Sequence, residues 1–184
     1  MRVIAGTMKG RRLVAPRGDL TRPTADQVRI ALMDTLMPWL SGARFLDLFA
    51  GAGSVGVEAL SRGAAQATFV ERDPRAFQAL RANVEALALE DVTRCLRLDV
   101  DRALARLAAE GQRFGIVFLD PPYETDLVTP TVARLGEGTV LAPEGLVIAQ
   151  HFTKRPPDER IGALGTFRTR RFGETTLTFF RAGG

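Results

Sequence analysis

Four short apolar runs in this chain carry an acid at or near their ends, and helix-patterned segments separate them. The runs are Arg44–Phe49, Thr68–Glu71, Cys95–Asp99 and Phe114–Asp120. Ser54–Arg62, Pro74–Leu87 and Val100–Glu110 lie between them and carry apolar residues at helical spacing. Gly63 closes the first and Gly111 the third, and Pro74 stands in a first turn, where its missing N–H is no loss. Strands separated by crossover helices pair in parallel, with a helical layer on each face of the sheet. A further helix, Leu127–Leu135, and a strand, Gly145–Gln150, continue the pattern. The last two runs break it. Thr166–Arg171 and Thr175–Arg181 flank "FGE", which is too short for a crossover, so they form an antiparallel hairpin. The fold class is therefore α/β, a mostly parallel sheet ending in an antiparallel pair.

The amino end has its own pattern. Residues 2–5 and 11–15 surround "GTMKG" and predict a small β-hairpin. "TRPTADQV" then opens a helix, with Thr24 and Gln27 as a capping box. Val28, Leu32, Leu36 and Trp39 are spaced to make Ala25–Leu40 amphipathic, and Trp39 and the methionines are expected in the core. The 184 residues suit one domain: a basic extension and first helix over 1–40, and a catalytic core over 41–184. No apolar run approaches the ~20 residues of a membrane span, and the amino end lacks a secretory pattern. Cys95 is the only cysteine, which excludes an intrachain disulfide. The expected setting is cytoplasmic.

Charge is segregated along the chain. Residues 1–30 hold seven basic residues against two acids, 31–150 hold eleven against sixteen, and 151–184 hold seven against three. An acidic body between basic ends suits a polyanionic partner. All but Lys9 and Lys154 of the basic residues are arginine, which grips phosphate bidentately and stacks on bases. Lys9, Arg11, Arg12 and Arg22 are the expected RNA-phosphate contacts, with Arg29 weaker because it can lie on a solvated helix face.

In open parallel sheets, ligands bind beyond the carboxyl ends of the strands. There the chain places Gly51-Ala52-Gly53-Ser54-Val55-Gly56, a G-x-G-x-x-G loop that is a weak signal alone. Asp47, four residues before Gly51, would repel a pyrophosphate and would suit a ligand bearing an amino group and a sulfonium, as S-adenosyl-L-methionine does. Glu71 ends the second strand, the usual place for an acceptor of ribose hydroxyls. Asp99 ends the third and can accept from an adenine amine. Each acid singly reads as a turn or cap residue; three at successive strand ends beside a glycine loop read as a cofactor site. No His or Cys cluster suggests a metal.

The fourth run exits through Asp120-Pro121-Pro122-Tyr123. Proline cannot donate to a ladder, so the strand stops there. The Asp120 carboxylate and Pro121 carbonyl can take the two N–H groups of an exocyclic amine and aim its lone pair at a methyl group. Pro122 stiffens the turn, and Tyr123 can stack on a flipped base, a contact worth ~1–3 kcal/mol.

"DLFAGAG", "FVERD", "RLDV" and "DPPY" resemble the successive motifs of class I S-adenosylmethionine-dependent methyltransferases that act on exocyclic amines. With "RVIAGTMKGRRL", "RPTADQVRIALMDTL", "SGARFLDLFAGAG", "EALSRGAAQATFVERD" and "RRFGETTLTFF", nearly the whole chain resembles the bacterial RsmD family, which methylates guanine N2 in 16S ribosomal RNA. The resemblance implies a Rossmann-like seven-stranded sheet, S-adenosyl-L-methionine at Asp47, Gly51, Gly53, Glu71 and Asp99, and a target base at Asp120–Tyr123. The implied partner is 16S rRNA in the small subunit or its assembly intermediate. One departure is "IAQHF", where the family leads to an acid before His151; His151 itself reads as structural. A glutamine-N5 protein methyltransferase and another nucleic-acid exocyclic-amine methyltransferase use similar chemistry, the former typically with NPPY. A non-catalytic RNA-binding assembly factor would not need the acids, and Asp47 and DPPY disfavour a dehydrogenase.

Overall fold

A computed structural model describes residues 1–15 and 23–183. In chain order it contains α1 (Pro23–Leu40), β1 (Arg44–Asp47), α2 (Ser54–Ser61), β2 (Gln66–Val70), α3 (Pro74–Ala86), β3 (Thr93–Leu96), α4 (Val100–Ala109), β4 (Phe114–Leu119), α5 (Val128–Gly136), β5 (Leu141–Phe152), β6 (Arg160–Ile161), β7 (Leu164–Phe172) and β8 (Thr175–Ala182). One sheet runs in the order β3-β2-β1-β4-β5-β8-β7-β6. β1 to β5 pair in parallel, and β8 returns antiparallel against β5 and against β7. The seven expected strands are all present. The two-residue β6, paired to β7, adds an eighth at the edge; so short a run carries no readable alternation.

Alternation along each strand builds two cores. Phe45, Ile116 and Phe118 face the layer of α1, α2 and α3. Leu46, Val117 and Leu119 face α4 and α5. The strand order reverses at β1, which lies between β2 and β4, so a crevice opens at the carboxyl ends of β1 and β4. β1, β2, β3 and β4 stop at Asp47, Val70, Leu96 and Leu119, which leaves Glu71, Asp99 and Asp120 in the loops above the sheet.

Three amino-end expectations change. α1 begins at Pro23, so Thr24 lies inside the helix and is not its cap; the fixed proline φ suits a first helical turn. Trp39 is 42% exposed and Met37 is exposed as well, because Leu40, one turn beyond Leu36, takes the inward position. Met33 does lie in the core. Arg29, expected on a solvated face, is buried. Its guanidinium donates to the Arg2 carbonyl at 2.9 Å and to Asp26 at 3.0 Å.

The hairpin forms through an Arg2–Arg12 bridge and packs on α2. Glu58, with no exposed surface, accepts from the Ile4 and Ala5 amides at 2.8 and 2.9 Å and pairs with Arg62 at 2.9 Å. Gly6 is needed at the contact, since a Cβ there would come within 1.8 Å of the Ser61 carbonyl oxygen.

Candidate active site

A cavity of about 660 Å³ opens above the carboxyl ends of β1, β2 and β4. Gly51, Glu71, Asp99, Asp120, Pro121, Pro122 and Tyr123 line it, so one pocket collects most of the residues expected there. Asp47 and Gly53 are buried and do not line the cavity. At Gly53, φ is 84°, and a Cβ would sit 2.5 Å from a Leu80 methyl. Its role is to let the loop close onto α3 and β2.

Asp47 is 1% exposed, and no hydrogen bond reaches either carboxylate oxygen. Burial pushes its pKa up to about 8, and the Asp120 charge adds to the rise; the Phe49 and Gly56 amides offset part of it from longer range. Asp120 is raised to about 7, again by burial. It is only half-buried and opens onto the cavity, so water screens it better than it screens Asp47. Burial therefore keeps both groups largely protonated near neutral pH, and a positively charged ligand beside them would favour their charged forms.

Glu71 has a defined job in the loop. Its Oε2 accepts from the Gly51 amide at 2.8 Å and its Oε1 from the Asp73 amide at 2.7 Å. The glycine turn is thereby tied to the end of β2, with lone pairs remaining for ligand hydroxyls. Asp99 caps α4 through the Arg102 amide at 2.9 Å, and half of its side chain stays exposed. Cap and ligand acceptor are compatible, since a carboxylate has about four acceptor sites.

The DPPY turn is held from two sides. Gln150 Nε2 donates to Asp120 Oδ2 at 3.1 Å and approaches the Tyr123 hydroxyl at 3.3 Å. That hydroxyl also meets Thr175 Oγ1 at 2.9 Å. The Pro122 carbonyl is taken by the Thr125 amide and hydroxyl. Gln150 was not expected here. The signal for it lies in "IAQHF": β5 pairs with β4 with Ala149 opposite Leu119, which brings Gln150 beside Asp120. Phe49 and Leu98, from within two of the motifs, and Leu127 and Pro130, which no motif marked, form apolar wall. His151 is buried in the sheet, with Nε2 2.9 Å from Thr178 Oγ1, and burial lowers its pKa.

The basic candidates separate. Arg22 lies outside the described residues. Arg11 donates to the Ala86 carbonyl at 2.8 Å, at the carboxyl end of α3. Lys9 stands at the hairpin tip beside Gly10, away from the cavity lining.

Residues 1–181 match the family described as Conserved hypothetical protein 95. The chain is 38% identical to ribosomal RNA small subunit methyltransferase D of Escherichia coli over 150 residues, 82% of this chain and 74% of that protein. The chain belongs to the ribosomal RNA small subunit methyltransferase D family. The Bacillus subtilis protein YlbH, named as an rRNA methyltransferase, is 37% identical over 184 residues, all of both chains. The solved structure of Escherichia coli yhhF superposes with a TM-score of 0.86 at 32% identity, covering 99% of this chain and 97% of that one. In open α/β sheets the crevice at the strand reversal is the place for a ligand, and it is where the present cavity lies. Among the described residues no helix is long and apolar enough to cross a membrane.

Proposed function

We propose that this chain transfers a methyl group from S-adenosyl-L-methionine to the exocyclic N2 amine of a guanine in 16S ribosomal RNA. The observation that carries the reading is the Asp120 carboxylate in the cavity lining, held at Oδ2 by Gln150, with Tyr123 beside it. Family membership supports methyl transfer to ribosomal RNA.

The unpaired Asp47 carboxylate fits a cationic cofactor. Gly51 shapes the wall against it, Glu71 would accept from ribose hydroxyls and Asp99 from the adenine amine. When bound, the cofactor supplies an electrophilic methyl on a sulfonium. The protein's own part is mostly positioning. With the Pro122 carbonyl taken by Thr125, Asp120 Oδ1 and the Pro121 carbonyl are the turn's acceptors for the two N2–H groups. Accepting both favours a pyramidal nitrogen with its lone pair turned toward the cofactor side. An amine that gains a methyl group must lose one proton, and Asp120, raised to about 7, would be the group placed to accept it. Tyr123 supplies a face for the base.

The test is direct. Unmethylated small subunits are incubated with isotopically labelled cofactor, and the RNA is digested to nucleosides. Label in N2-methylguanosine is expected. Label in another nucleoside, or on protein glutamine, would overturn the assignment.

A further inference from the structure

We propose that the RNA strand carrying the target base is held at the carboxyl edge of the sheet by Lys154 and Arg155, not by the amino-terminal hairpin; this rests on the RNA methyltransferase reading above. The argument starts from strand direction. β5 runs parallel to β4, so the loop after Phe152 emerges at the same edge as Asp120–Tyr123. β8 runs antiparallel to β5, with Thr175 opposite Phe152, so the β7–β8 turn is there too. Thr153 ties the two together: its amide donates to the Glu174 carbonyl at 2.7 Å and its hydroxyl to the Gly173 carbonyl at 3.0 Å.

Tyr123 stands where three cavities meet. The first is the 660 Å³ pocket assigned to cofactor. A second, of about 370 Å³, runs between the DPPY turn and Arg155, Pro156 and Pro157. A third, of about 580 Å³, lies between the start of α1 and the β7–β8 turn. With cofactor in the first, a nucleotide reaches Asp120 through the other two. An aromatic and cationic ledge borders that approach. The Tyr123 and Phe152 rings are 6.1 Å apart, and Lys154 Nζ stands 5.9 Å from the Phe152 ring centre. Arg155 flanks both rings. Lys154 and Arg155 are exposed, and among the described residues neither is in an ion pair. Glu124 shares that ledge without pairing to either cation, and two unpaired cations beside stacking rings fit single-stranded RNA, with its phosphates on the cations and a base on the rings.

The hairpin is placed for a different task. Its tip bonds to Ser61, through the Thr7 amide at 2.8 Å and the Met8 amide at 2.9 Å. Ser61 ends α2, which starts at the glycine loop and descends the sheet by eight residues, roughly 12 Å at 1.5 Å per residue. Arg11 there satisfies an end-of-helix carbonyl of α3, a stabilising place for a cation.

The test compares salt dependence of 16S RNA affinity for the wild type, Lys154→Ala/Arg155→Ala, and Lys9→Ala/Arg11→Ala/Arg12→Ala, with cofactor affinity and thermal midpoint as controls. Each lost phosphate contact flattens the log–log slope by about 0.7–0.9. The loop variant should therefore flatten it by about 1.4–1.8 and weaken binding on the order of twentyfold near 0.15 M salt, with the loss in KM for RNA. The hairpin variant should keep the wild-type slope. A loop variant with the wild-type slope overturns the proposal, as does a flattened slope in the hairpin variant alone. Wild-type protein that methylates no RNA would instead overturn the functional reading. Lys154→Gln/Arg155→Gln, which keeps side-chain length, should behave as the alanine pair does; retention of wild-type slope there would equally count against the charges.

Discussion

Asp47 should make the ligand-free protein less stable as pH rises, and replacing it with Asn should remove that dependence while weakening cofactor binding. The carboxylate is buried without a hydrogen bond or a neighbouring cation, and its pKa is pushed up to about 8. In the unfolded chain it titrates near the ordinary value of about 3.9. Between those values the folded state holds a proton that the unfolded state releases, so unfolding free energy falls with rising pH. One pKa unit corresponds to about 1.4 kcal/mol, so Asp47 alone costs up to about 4 kcal/mol between roughly pH 5 and 8. That is a ceiling, since water entry and local relaxation reduce it. Below the unfolded value the stabilisation is fully present; above pH 8 nothing further is lost. A cation in the pocket reverses the balance: cofactor should bind more tightly as pH rises toward 8, with proton release. The assay is urea denaturation at several pH values between about 5 and 8.5, with calorimetry of cofactor binding in two buffers of different ionisation enthalpy. Asp47→Asn should be the more stable protein at pH 8 and the weaker cofactor binder. A variant with the wild-type pH slope, or cofactor binding with no proton release, would refute the reasoning.

Three further outcomes are expected. Gln150→Glu places a carboxylate about 3 Å from Asp120; two charges ~4 Å apart at an effective dielectric of ~20 repel by about 4 kcal/mol, so the pH at which kcat/KM half-rises should move up from about 7 by at least a unit. An unmoved midpoint would show that Asp120 is not the titrating acceptor. Tyr123→Phe loses the hydroxyl contacts to Thr175 and Gln150 but keeps the ring, so its turnover should fall severalfold, and Tyr123→Ala should lose a further ~1–3 kcal/mol of stacking; equal losses would mean that the hydroxyl, not the face, matters. Glu58→Ala leaves the Ile4 and Ala5 amides without their acceptor and Arg62 with Asp34 alone, and should destabilise by roughly 1–3 kcal/mol for each stranded amide in chemical denaturation. A loss below about 1 kcal/mol would show that the hairpin does not depend on it.

The elements and most of the pocket are legible in the chain because they rest on local rules. Helical spacing, Gly63, Gly111 and Pro74 bound the helices to within a residue or two. Acids placed just after apolar runs must sit above a parallel sheet, and Gly51, Glu71, Asp99 and Asp120 do line one cavity. What depends on neighbours in space is not local. Period alone points Trp39 inward, yet Leu40 fills that position. Arg29 looks like a surface cation until Glu58, from another helix, lies 3.9 Å from it. Gln150 meets Asp120 only because β5 pairs beside β4, and Asp47 loses its hydrogen-bond partners only when the glycine loop folds over it. Contacts with α2 likewise decide that the hairpin tip sits at Ser61, the end of α2 away from the glycine loop. Spacing along a chain specifies periodicity and the reach of each turn. Which side chain is buried, charged or paired depends on the desolvation and contacts that only the assembled sheet supplies.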